Sequence, residues 1–168
     1  MRNVLNHNVL IAVVVLSLTG CGASISVPTA SSKADSNLIL NTEPSGAKDV
    51  LDIREKAKDL DPVVVLGRVG GGVQPWIEGR AAFIIVDERV VPSCKDEHCD
   101  ANCKQCAQEL ASATTMIKFV DSQGKVLPVD SRELLGIKEQ QTVVVRGVAS
   151  RDKSGNLAIK ADGIFVRR

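Results

Sequence analysis

TVVVRGVASRDKSGNLAIKADGIFV, residues 142–166, reads as two long strands joined by a tight turn. Consecutive β-branched valines set a strand over TVVVRGVAS (142–150). RDKSGN (151–156) holds the Gly-Asn pair of a turn, and LAIKADGIFV (157–166) is the return strand. Alternation gives one apolar side, with Val145, Gly147, Leu157 and Ile159, and an opposite side that carries Arg146 and Lys160. A hairpin with one apolar side needs further strands to cover that side.

The chain upstream supplies them. VVVLGRV (63–69) is a β-branched strand bounded by Gly70-Gly71-Gly72, AAFIIVD (81–87) is a second strand, and TTMIKFV (114–120) is a third. Asp121 to Gly124 is a turn, with KVLPVD (125–130) as a short return strand. SRELLGI (131–137) reads as a helical turn or two that stops at Gly136. KDVLDIREKAKDL (48–60) spaces Val50, Leu51, Ile53, Ala57 and Leu60 close to a helical period, so a short helix is expected there, ended by Asp61-Pro62.

Three strands, a short helix and a two-stranded hairpin resemble the OB-fold, a five-stranded Greek-key barrel. DPVVVLGRVGG (61–71) is similar to the first OB strand, and residues 142–166 to the fourth and fifth. The likeness covers residues 48–168 and extends to secreted and periplasmic OB proteins often called BOF. It implies a mostly β barrel with a short helix before strand one and another between strands three and four. A Cys-rich, helix-compatible insertion (92–112) then lies between strands two and three. The resemblance implies a binding module and no enzymatic activity.

At the other end, Val9 to Leu18 is an apolar run behind Arg2, shorter than the about 20 residues a spanning helix needs and of signal-peptide length. Leu18-Thr19-Gly20-Cys21 resembles a bacterial lipobox. That resemblance implies removal of residues 1–20, acylation of Cys21 and a membrane anchor facing away from the cytoplasm. Gly22 in place of Asp favours the outer membrane where a cell has one. Residues 22–47, rich in Ser, Thr, Ala and Pro, read as a flexible spacer interrupted by Leu38-Ile39-Leu40, a short strand or docking contact. Residues 1–20 contain Arg2 and no acid, so the formal charge of +1 falls to zero without them. A neutral domain with Trp76, Phe83, Phe119 and Phe165 as its only aromatics is poorly suited to nucleic acid.

Strand parity places Arg68, Lys118, Arg146 and Lys160 on the outside of the barrel, a solvated basic face or an anion-binding one for a polyanion or an acidic envelope protein. The Gly70–Gly72 run sits between strands rather than before a helix, so it reads as a loop or bulge and not a phosphate cradle. Trp76 reads as a packing plug. Asp87-Glu88 point to opposite sides of a strand and read as solvated charges. No catalytic grouping is evident.

CKDEHCDANCKQC (94–106) carries the remaining chemistry. With Cys21 taken by lipid, Cys94, Cys99, Cys103 and Cys106 form an even set in an oxidising compartment, which suits disulfides with open connectivity. A helix over 96–110 would put Cys99, Cys103 and Cys106 on one side. Cys94 or His98 would complete a Cu(I) or Zn(II) site, and the stretch resembles the cysteine-bearing helices of small copper-binding proteins. Only Cys103–Cys106 has zinc-knuckle spacing. No cofactor is fixed by the sequence, and Zn(II) and Cu(I) are the candidates.

Overall fold

The computed structural model describes residues 38–72, 74–90 and 104–168. Cys21, Cys94, His98, Cys99 and Cys103 lie outside these residues, as does the rest of residues 1–37, read above as a signal peptide and spacer.

The elements run β1 (Lys48–Asp49), α1 (Val50–Lys56), β2 (Pro62–Val69), β3 (Ala82–Val86), α2 (Lys104–Ser112), β4 (Thr114–Phe119), α3 (Ser131–Leu135), β5 (Thr142–Arg151) and β6 (Leu157–Val166). Strands β2, β3, β4, β6 and β5 pair in that order, and β5 returns to β2, so five strands close a barrel. Only the β4–β6 pair within it is parallel. The result is the OB-like Greek-key barrel that the strand order implies.

The barrel forms because its strands alternate. β2 and β4 bury every second residue, including Val63, Val65, Val69, Ile117 and Phe119. Phe83, Ile85, Ile159 and Ile164 complete an interior of aliphatic and Phe side chains. In β5–β6 the register shifts after Arg146: Arg146 faces Gly163 and Gly147 faces Ala161, so Asp162 bulges out. A Cβ on Gly147 would sit 2.3 Å from the Lys160 carbonyl oxygen, so only glycine lets the strands close here. Gly71, at φ +99°, lies where a Cβ would meet the Thr114 methyl at 2.4 Å. Within the glycine run it is therefore Gly71 that packs closely against Val86 and Thr114, while Gly72 faces open space.

Helices plug the barrel. α1 turns Val50 and Ile53, with Ala57 just beyond, into the core. It is shorter than its sequence pattern suggests. Lys48 and Asp49 are drawn into a parallel pairing with Val65 and Leu66 of β2, and the helix ends at an extended Ala57. Leu51 and Leu60 consequently stay exposed. α3 buries Leu134 and Leu135; the Asp130 carboxylate accepts from the Arg132 amide, and Gly136 closes the helix at φ 64°.

KVLPVD does not form a strand. A single bridge joins Val120 to Val126, and the amide-less Pro128 prevents a continued ladder. Leu38–Leu40 make the expected contact: Ile39 bridges to Ile164, and Ile164 exchanges backbone hydrogen bonds with Leu38 and Leu40 at 2.8 Å.

Candidate binding face

The four cations predicted for the outer surface separate into two groups. Arg68 donates to the Gln140 side chain, and the Arg146 Nε donates to the Asp162 carboxylate at 2.7 Å. The bulge makes the second pair by swinging Asp162 out beside Arg146. Lys118 and Lys160 are direct Cα partners in the parallel β4–β6 ladder, and neither has an ion-pair or hydrogen-bond partner among the described residues. Like charges in facing positions destabilise a sheet.

Two loops extend this basic surface. Arg80 comes from a tight turn in which its amide donates to the Ile77 carbonyl, and its own carbonyl accepts from the Ser131 hydroxyl. Lys125 follows the Asp121–Gly124 turn, whose Asp121 carboxylate accepts from the Gln123 and Lys125 amides at 2.9 Å. Backbone bonds from Ala81 to Leu127 and from Leu127 to Phe119 fasten the two loops to the barrel. Between them lies a hollow of about 380 Å³ lined by Ile77, Arg80, Ala82, Met116, Lys118, Lys125 and Val126. Its floor is apolar and its rim cationic, with no carboxylate, amide or hydroxyl side chain in the lining. A second hollow of about 250 Å³ shares Met116 and Lys118 and reaches the β5–β6 turn at Asp152 and Asn156. Its one carboxylate, Asp152, is occupied by the Ser154 and Asn156 amides and the Asn156 side chain, which hold it below its usual value. The two hollows adjoin at Met116 and Lys118, the first over β3 and β4 by the β2–β3 loop and the second over β4 and the β5–β6 turn, and together are called the trough. OB-like barrels bind ligands on this face and with these loops.

The opposite flank is held by Asp87 and Arg89. Asp87 is fully buried, contrary to its reading as a solvated charge. Its carboxylate accepts from the Leu51 amide at 2.9 Å and from the Arg89 amide and guanidinium, which ties α1 to the end of β3. Arg89 also reaches Asp49 and Asp52. Burial raises the Asp87 pKa, but the Arg89 and Leu51 hydrogen bonds and the Arg89 charge outweigh it, so the pKa is lowered overall. Glu88 accepts from the Thr142 hydroxyl.

Trp76 is a plug, as expected. It is buried, packs against Phe83 at a ring separation of 6.0 Å, lies under the Arg132 guanidinium and donates to Glu139 at 3.2 Å. Phe83 and Phe119 are buried too, so none of these three rings is on the trough. Cys106 falls in α2, whose chain leads into β4; the other thiols and His98 are not described. Among the described residues, no group of three or more His, Cys, Asp or Glu is placed to hold a metal, and no helix is long and apolar enough to cross a membrane.

Sequence reasoning missed Arg80, Lys125, Ile77, Met116 and Val126. Parity was informative for one of them: Met116 stands two residues before Lys118 on β4.

No family model matches the chain, and no curated protein matches it. Among solved structures it is similar to a crystal structure described as a "putative aspartyl-tRNA synthetase from Leishmania major Friedlin", with a TM-score of 0.36 and 10% identity. The match covers 77% of this chain and 22% of that one, so the chain spans about a fifth of that protein's length. A likeness this weak assigns no activity. The fold and the trough define the class: an OB-like barrel of the kind that serves as a binding module.

Proposed function

We propose that the chain is a lipid-anchored envelope protein whose barrel is a non-enzymatic binding module, and that the β3–β4 trough takes an anionic ligand. One observation carries this reading: Lys118, which lines both hollows, stands in register beside Lys160 of β6 without an acid, where the fold alone would favour opposite charges. A bound anion offsets that repulsion. Rings available for base stacking are absent from the trough lining, which favours an anion other than a nucleic acid.

The test titrates the full chain with polyphosphate, a linear polyanion without bases. Binding should weaken with salt. It should be lost in Lys118→Ala/Lys160→Ala and kept in Arg146→Ala, whose guanidinium is already engaged by Asp162. Equal binding by the lysine double variant would remove the trough from consideration. The anchor is tested separately, since Cys21→Ser should move the protein out of the membrane fraction.

A further inference from the structure

We infer that the trough is built for an amphiphilic anion, a single acyl chain bearing a phosphate or carboxylate head; this deepens the reading above and rests on it. The argument is the chemistry of the lining. Ile77, Ala82, Met116 and Val126 offer hydrocarbon, and Arg80, Lys118 and Lys125 offer charged donors. The main hollow has no side-chain acceptor. A sugar polymer presents hydroxyl donors that need acceptors, and bases need aromatic surfaces. Neither requirement is met there. A hydrocarbon tail needs only the apolar floor, and an anionic head needs only the donors at the rim.

The geometry is prearranged for this. Ile77 is 38% exposed at the trough edge, although its neighbour Trp76 is buried. The Ile77–Arg80 turn and the Asp121–Lys125 turn hold the tail-facing and head-facing groups at one end. The adjoining hollow shares Met116 and adds Leu157 and Ala158, beyond which Ser150, Arg151, Asp152 and Asn156 make it polar, so the tail is held by the main hollow.

The experiment uses the full chain labelled at its methionine methyls. There are two methionines, and Met116 reports the trough while Met1 lies far along the chain in the leader. Dodecyl phosphate, kept below its micelle concentration, should shift the Met116 signal at concentrations at least about tenfold lower than inorganic phosphate requires. Lys118→Ala/Lys125→Ala should weaken dodecyl phosphate about tenfold or more. Ile77→Asp should abolish the advantage of dodecyl phosphate over phosphate, with an unchanged thermal melt showing that the barrel still folds. If polyphosphate binds and depends on Lys118 while dodecyl phosphate does no better than phosphate, the amphiphile inference fails and the anion-binding reading survives. If neither probe moves Met116, both fail. Binding confined to anionic vesicles, with none to monomeric dodecyl phosphate, would overturn the inference in favour of surface adsorption.

Discussion

The two flanks of the barrel use charge in opposite ways. Around α1, Asp87, Arg89, Asp49, Asp52, Arg54 and Lys56 are each engaged by a partner, and Asp87 is engaged while fully buried. On the β3–β4 face, Arg80, Lys118 and Lys125, with Lys160 beside Lys118 on β6, have no such partner among the described residues. Charges of the first kind hold the chain in shape. Charges of the second kind add nothing to the fold and raise its energy slightly where two lysines face each other. Stability and ligand binding should therefore separate by flank.

The largest expected effect falls on the latch. Asp87→Ala leaves the Leu51 amide without its acceptor and Arg89 with only Asp49 and Asp52, and should lower the unfolding free energy by about 2 kcal/mol. Urea unfolding followed by Trp76 fluorescence measures it. A loss under about 0.5 kcal/mol would put the latch in the same class as an ordinary surface pair and collapse the contrast.

The same carboxylate gives the next effect through pH. Its folded pKa is lowered, so the unfolded chain binds the proton more readily. The stabilisation is complete above the ordinary carboxylate range, and it drains away as pH falls from about 5 through the lowered folded value. Asp87→Asn should flatten that acid limb. Asp130→Asn should flatten it less, although Arg132 holds Asp130 well below the usual range, because that pair is on the surface and solvent-screened. Stability curves from pH 7 down to about 2 separate the two; equal flattening would mean that burial adds nothing to the latch.

How much of this was legible follows the same division. The barrel strands were, because β-branched runs with period-two alternation announce themselves locally, as in 63–69 and 142–166. β1 was not, since Lys48 and Asp49 are extended only because β2 offers them an edge. The latch was invisible, because nothing in an Asp-Glu pair at a strand end shows that a helix amide will arrive from residue 51. On the open face, parity found Lys118 and Lys160. It also grouped Arg146 with them, because the bulge that hands Arg146 to Asp162 is a property of the closed sheet. Arg80 and Lys125 reach the face from loops, where no period applies.

A smaller effect of opposite sign is expected on the open face. Lys118→Ala/Lys160→Ala should leave stability unchanged or raise it by up to about 0.5 kcal/mol, because a like-charge contact is removed. It should abolish polyphosphate binding at the same time. A loss of 1 kcal/mol or more would show that these lysines serve the fold, and would weaken the case for a ligand.

The cysteine segment should have the smallest effect on the barrel. It connects β3 to α2, and the described residues on either side of it close the ladder between β3 and β4. Val86 pairs with Thr114, and the Asp87 amide donates to the Ala113 carbonyl at 2.9 Å. That closure uses no thiol. Replacing Cys94, Cys99, Cys103 and Cys106 by Ser should change barrel unfolding by less than about 1 kcal/mol. The chemistry of the thiols is read on the unsubstituted protein. A non-reduced sample without free thiols supports disulfides, whereas titratable thiols with co-purifying zinc or copper support the metal site. A quadruple variant whose barrel melts early, or without a cooperative transition, would show instead that the β3–β4 connection belongs to the fold, and that the closed ladder does not stand alone.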